Sequence, residues 1–148
     1  MTYKEEFIYP QEYEQAANSY LMSVVAIIAG LPLPIINLIA SVGYYMAHRK
    51  SSYFVRWHCI QAVLAQAIMI PFNSIAFGWT LAIFLERKEV TLAYGTYMFL
   101  IVFFNVFEFF AVIYTSLKVK KGIDVRWPVI AGITDSLCST ENRDKYKI

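Results

Sequence analysis

Cysteine and histidine are nearly missing from this chain, with two of each in 148 residues. Cys59 and Cys138 have no CxxC or HxxxH neighbour, so they read as free thiols, and two cysteines fall short of a four-ligand zinc set. No Gly-rich phosphate loop, GxSxG, HExxH or internal repeat occurs, which leaves nucleotide, serine-hydrolase and zinc-protease chemistry without a footing. Charge is scarce as well: 16% of residues are Asp, Glu, Lys or Arg, against about 25% in soluble domains. The basic residues lie beside apolar runs, so nucleic-acid binding has no support. Residues 1–19 carry Lys4 against Glu5, Glu6, Glu12 and Glu14 with no apolar stretch. They read as a polar N-terminal segment rather than a signal peptide.

What fills the chain is hydrocarbon: 58% of its residues are hydrophobic and 17% are aromatic. Three apolar runs, 20–46, 54–85 and 92–117, are each long enough to cross a bilayer core about 30 Å thick. The expectation is an all-α integral membrane protein, one membrane domain over 1–148, with three transmembrane helices. The middle run would extend about 48 Å as an ideal helix, so it must tilt, kink or reach into the headgroups. Gly30, Pro32 and Pro34 should bend the first helix, and Pro71 the second, because proline removes a donor and crowds the preceding turn.

Orientation follows from the loops, since basic residues near span ends mark the cytoplasmic side. His48, Arg49, Lys50 and Arg56 surround the first loop, Glu86-Arg87-Lys88-Glu89 forms a balanced second loop, and Lys118, Lys120 and Lys121 close the last span. Three crossings then place the N-terminus outside and the C-terminus in the cytoplasm.

Each run carries a polar stripe. Asn37, Ser41 and Tyr44 share a face of the first; His58, Gln66 and Asn73, with Gln61 adjacent, share one of the second; Asn105, Glu108 and Thr115 share one of the third. Polar groups facing lipid are costly, so the stripes should face one another. Glu108 is the sharpest residue, because an acid deep in a membrane helix needs a partner or a task. Arg56 and His58 enter from the same side and are its expected partners. An ion pair pinning two helices, a proton or substrate relay, and a partner contact all remain open readings of Glu108.

Beyond the third run, Lys118-Val-Lys-Lys-Gly122 reads as a helix end, with Gly122 at the C′ position. Pro128 then opens a short helix over about 128–138, whose apolar face of Val129, Ile130, Ile133 and Leu137 should lie in the membrane interface. Residues 139–148 read as a flexible tail. The stretch His48 to Gln61, with its Arg56-Trp57-His58, resembles small bacterial membrane proteins related to the chloroplast import component Tic-twenty. The Asn105–Glu108 helix and the closing Gly122, Trp127 and Pro128 resemble that family's pattern too. The resemblance implies a bacterial inner-membrane location and a role in protein translocation or membrane-protein assembly.

The functional expectation is a non-enzymatic subunit of a larger inner-membrane assembly. It needs no cofactor and has the lipid bilayer and other membrane proteins, or further copies of itself, as partners. The alternative is a small transporter or channel using Asn37, His58, Gln66, Asn73 and Glu108. A further alternative, a pigment- or quinone-binding subunit, rests on His58 and the aromatic residues.

Overall fold

The computed structural model describes residues 7–28 and 34–142, and there the chain forms α-helices and no strand. In chain order these are α1 (Pro10–Ile28), α2 (Pro34–His48), α3 (Tyr53–Glu86), α4 (Leu92–Lys120) and α5 (Ile130–Asn142). Two of them, α3 and α4, are long and apolar enough to cross a membrane. The expected three spans are therefore corrected to two.

The difference lies in the first apolar run. It is divided between α1 and α2, and Pro34 is the first residue of α2, a position where its missing N–H costs nothing. Gly30 and Pro32 lie outside the described residues. Two prolines within three residues delete two ladder donors, so a break costs less than a bend. The halves then fold back on each other: the Tyr44 hydroxyl donates to the Gln15 carbonyl at 3.0 Å, and Ser23 and Asn37 line a common cavity.

The first of these helices packs against α2, α3 and α4. Its buried face is Ala16, Ala17, Ser19, Tyr20, Ser23 and Val24. Small residues let helix axes approach closely, which matters where lipid supplies no hydrophobic drive between helices. The Ser19 and Ser23 hydroxyls bond carbonyls one turn back on α1, at 2.6 Å each, and the Ser116 hydroxyl of α4 donates to the Ala17 carbonyl at 3.0 Å. Within the segment read as polar, α1 begins at Pro10, and Ala16, Ala17 and Ser19 belong to the core. Residues 1–6 lie outside the described residues.

Glu14 of α1 pairs with Lys120 of α4 at 3.3 Å. The start of α1, the 49–52 loop and the end of α4 consequently share one end of the bundle. The cavity shared by α1 and α2 is bounded on the long helices by Met69, Asn73, Asn105 and Glu108, so the α1–α2 hairpin reaches about midway along α3 and α4. Past that level the long helices expose Phe72, Ile75, Phe77, Phe84, Phe99 and Phe103, a lipid-facing skin.

The 34 residues of α3 continue without interruption through Pro71, a length of about 51 Å. The helix stops at Arg87 in the left-handed region, with φ 52°. The Thr91 hydroxyl caps α4 by accepting from the Tyr94 amide at 3.2 Å. At the far end Gly122 has φ 83°, and its amide and that of Ile123 return to the carbonyls of Val119 and Lys118. This paired return is the glycine-closed helix end expected there.

The short terminal helix starts at Ile130 rather than Pro128, because Val129 takes φ 68°, which an α-helix does not admit. It runs to Asn142, so residues 139–142 are helical, and 143–148 lie outside the described residues. Its Thr134 and Cys138 are fully buried against α3, while Val129, Ile133 and Leu137 point outward. Ile133 and Leu137 thus form an exposed apolar face.

This arrangement predicts that single cysteines at Tyr9 and Lys121, in a background lacking Cys59 and Cys138, react with a membrane-impermeant maleimide from the same side of sealed vesicles. Labelling from opposite sides would overturn the hairpin.

Candidate functional site

The first turns of α3 bury Arg56, His58 and Gln61. Gln61 is the hub. Its Nε2 donates to the Val125 carbonyl at 3.0 Å and to the Tyr20 hydroxyl at 2.7 Å, while its Oε1 accepts from the Trp127 amide at 3.0 Å. A carbonyl and an amide two residues apart fix which way the carboxamide points. The side chain thus serves segment 123–127 as a neighbouring strand would.

The polarity of the chain of bonds follows. Tyr20 accepts from Gln61, so its own proton goes to His58 Nδ1 at 2.8 Å. The imidazole proton then sits on Nε2, which faces Asp124 Oδ1 at 3.4 Å. The ring is fully buried whereas Asp124 is half exposed. The His58 hydrogen bond is the main cause holding the Asp124 carboxyl below its ordinary value; partial burial opposes it and Arg126 adds to it.

A second knot fastens α5. The Trp57 indole donates to Asp135 at 2.8 Å, Arg126 pairs with Asp135, and the Arg126 guanidinium lies 4.5 Å from the Trp57 ring centre. The Trp57 hydrogen bond leads the causes that lower the Asp135 carboxyl. Trp127 turns its indole to Thr115 of α4 at 2.9 Å. Gly122, Trp127 and Pro128 therefore close the basic end of the bundle: the glycine turns the chain, and Trp127 pins it to α3 and α4.

Deeper in the membrane lies a separate cluster. Gln66 donates to Glu108 Oε1 at 2.6 Å. Asn73 and Asn105 exchange amide hydrogens at 3.1 and 2.8 Å. Further out, Tyr97 donates to the Phe72 carbonyl at 3.0 Å and Thr80 meets the Tyr94 hydroxyl at 2.9 Å. These rungs join α3 to α4. The polar stripes do face each other, but Glu108 pairs with Gln66 rather than with Arg56 or His58. The reason is depth: His58 lies about two turns nearer the basic end, where Tyr20 and Asp124 take its ring. Above the rungs, Ser23, Asn37, Gln66, Asn73, Asn105 and Glu108 border a cavity of about 20 Å³, room for about one water. The Asn37 Oδ1 atom is buried and meets no donor. Among the described residues no group of three or more His, Cys, Asp or Glu is placed to hold a metal.

Tyr20, Asp124 and Asp135 were not singled out by sequence. Tyr20 is one aromatic among many at the start of an apolar run. The one signal for Asp124 is an acid set among Lys121 and Arg126.

A family model described as the magnetosome magnetite crystal formation protein family (MamF/MmsF) matches residues 16–134. No curated protein and no solved structure matches the chain. The resemblance to Tic-twenty relatives is corrected by this match, and protein translocation loses its support. The segments that carried that resemblance all lie inside the matched range. A basic loop, an aromatic anchor and a glycine-closed helix end answer needs common to small helical membrane proteins, so they did not discriminate.

Replacing Gln61 with Leu strands the Val125 carbonyl, the Trp127 amide and the Tyr20 hydroxyl. The expected loss in detergent denaturation is at least about 1–3 kcal/mol. A double-mutant cycle of Gln66→Ala with Glu108→Ala should give a coupling of about 0.6–1.7 kcal/mol, whereas His58→Ala with Glu108→Ala should be additive within about 0.5 kcal/mol. For Asp124 the folded carboxyl titrates below the unfolded one. Its contribution is complete above the ordinary value of 3.8 and fades as pH falls through the folded value. Asp124→Asn should flatten that acid limb of a stability-against-pH profile.

Proposed function

The chain belongs to the magnetosome magnetite crystal formation protein family, and from that membership we propose that it is a non-enzymatic subunit of the magnetosome membrane acting in magnetite crystal formation. The observation that carries this reading is the family match over residues 16–134, which takes in most of α1, all of α2, α3 and α4, and the start of α5. Two membrane-length helices support a membrane location. The site supports a role without catalysis, since His58, Gln61 and Glu108 each bond another part of the same chain and tie helices together.

The basic end, with Arg49, Lys50, Lys118, Lys120, Lys121 and Arg126, faces the cytoplasm under the positive-inside rule. The Glu86–Glu89 turn then faces the magnetosome interior. The outward Val129, just before α5, and Ile133 and Leu137 of α5 rest in the cytoplasmic interface. The exposed apolar flanks of α3 and α4 meet lipid, neighbouring membrane proteins or a second copy.

Deletion of the gene tests the reading. Electron microscopy of the deletion strain should show smaller or fewer magnetite crystals inside membranes that still form, with normal crystals restored by the wild-type gene. A fluorescent fusion should co-purify with magnetosome membranes. Crystals of unchanged size and number in the deletion strain would overturn the proposal.

A further inference from the structure

The cavity between the hairpin and the long helices holds oxygen atoms that the interhelical bonds leave with acceptor capacity to spare. It lies between Ser23 of α1 and Asn37 of α2 on one side and Gln66, Asn73, Asn105 and Glu108 of the long helices on the other.

Val24, Met69, Phe109 and Val112 form the apolar part of the wall, and the polar part carries several acceptor oxygens. Glu108 brings a carboxyl group, with Oε1 taking the Gln66 hydrogen at 2.6 Å, which a bound cation would hold in its ionised form. The Asn37 Oδ1 is buried and receives no hydrogen bond. The Asn73 and Asn105 carbonyl oxygens each accept one hydrogen from the other residue and retain a second lone pair. The Ser23 hydroxyl donates its proton to the Tyr20 carbonyl, which leaves its own oxygen able to accept. Such a set calls for a positive occupant.

Its charge decides the class. Glu108 is the one acid among the residues bordering the cavity. A single carboxylate neutralises one positive charge, whereas a divalent ion would leave a net charge in low dielectric, which is costly. The volume of about 20 Å³ admits an ion stripped of its water, and oxygen donors suit a hard cation. We propose that this cavity, bounded by Ser23, Asn37, Gln66, Asn73, Asn105 and Glu108, binds one small monovalent cation of sodium size. The site goes beyond the crystal-formation reading and does not depend on it.

The experiment uses the full chain in nanodiscs of neutral lipid and measures equilibrium binding of radioactive sodium. Wild-type protein should bind one sodium ion per chain, displaced by unlabelled NaCl and not by choline chloride. Glu108→Gln, which keeps the shape and removes the charge, and Asn37→Ala, which removes the undonated oxygen, should each weaken binding about tenfold or more. Circular dichroism and gel filtration establish that both variants are folded. If one fails to fold, the other with Asn105→Ala completes the test. No saturable sodium binding to the wild type, undiminished binding in the folded variants, or displacement by Mn(II) at lower concentration than by sodium would each overturn the proposal. Crystal size in the deletion strain is a separate readout, so either claim can fail without the other.

Discussion

One carboxamide holds the basic end of this protein together. Gln61 reaches α1 through Tyr20 and the chain beyond α4 through Val125 and Trp127, so three segments distant in sequence meet at one side chain. Without it the 123–127 segment would bring unpaired backbone groups against buried helix faces, and an unpaired buried amide or carbonyl costs about 1–3 kcal/mol. The rest of that end follows from this anchorage. His58 acquires its tautomer from Tyr20, Asp124 is carried to His58 by the turn at Gly122, and α5 is delivered to Trp57 by the chain leaving Trp127.

The long helices obey a different economy. Between α3 and α4 lipid provides no hydrophobic drive, so their association rests on packing and on interhelical hydrogen bonds. Glu108, Asn105, Tyr97 and Tyr94 each find a partner on α3. Pairing Glu108 with neutral Gln66 demands no second buried charge, which an Arg or Lys at this depth would have brought. The small residues of α1 serve a related end. Ala16, Ala17, Ser19 and Ser23 let three neighbours close around one helix, and the serine hydroxyls are satisfied on α1 itself.

The helical class, the two long spans, the glycine-closed end of α4 and the mutual facing of polar stripes were all legible from periodicity and residue type. The hairpin was not. Pro32 and Pro34 say that a helix is disturbed, but bending and folding back differ only in what α1 and α2 find to pack against. That is a tertiary matter. The same holds for the polar segment before residue 20: Ala16, Ala17 and Ser19 look unremarkable until three helices close on them. Glu108 was recognised as needing a partner. Its identity depended on depth, and the buried Tyr20 and returning Asp124 that occupy His58 are neighbours only in three dimensions.

The half-depth hairpin also gives the molecule an uneven cross-section. Among the described residues, α1 and α2 stand beside α3 and α4 in the half nearer the basic end, and in the other half α3 and α4 stand alone. The described residues therefore have the outline of a wedge, broader at the basic end. Many wedges inserted with the same orientation expand one leaflet relative to the other, and the sheet relieves the difference by bowing toward the broader face.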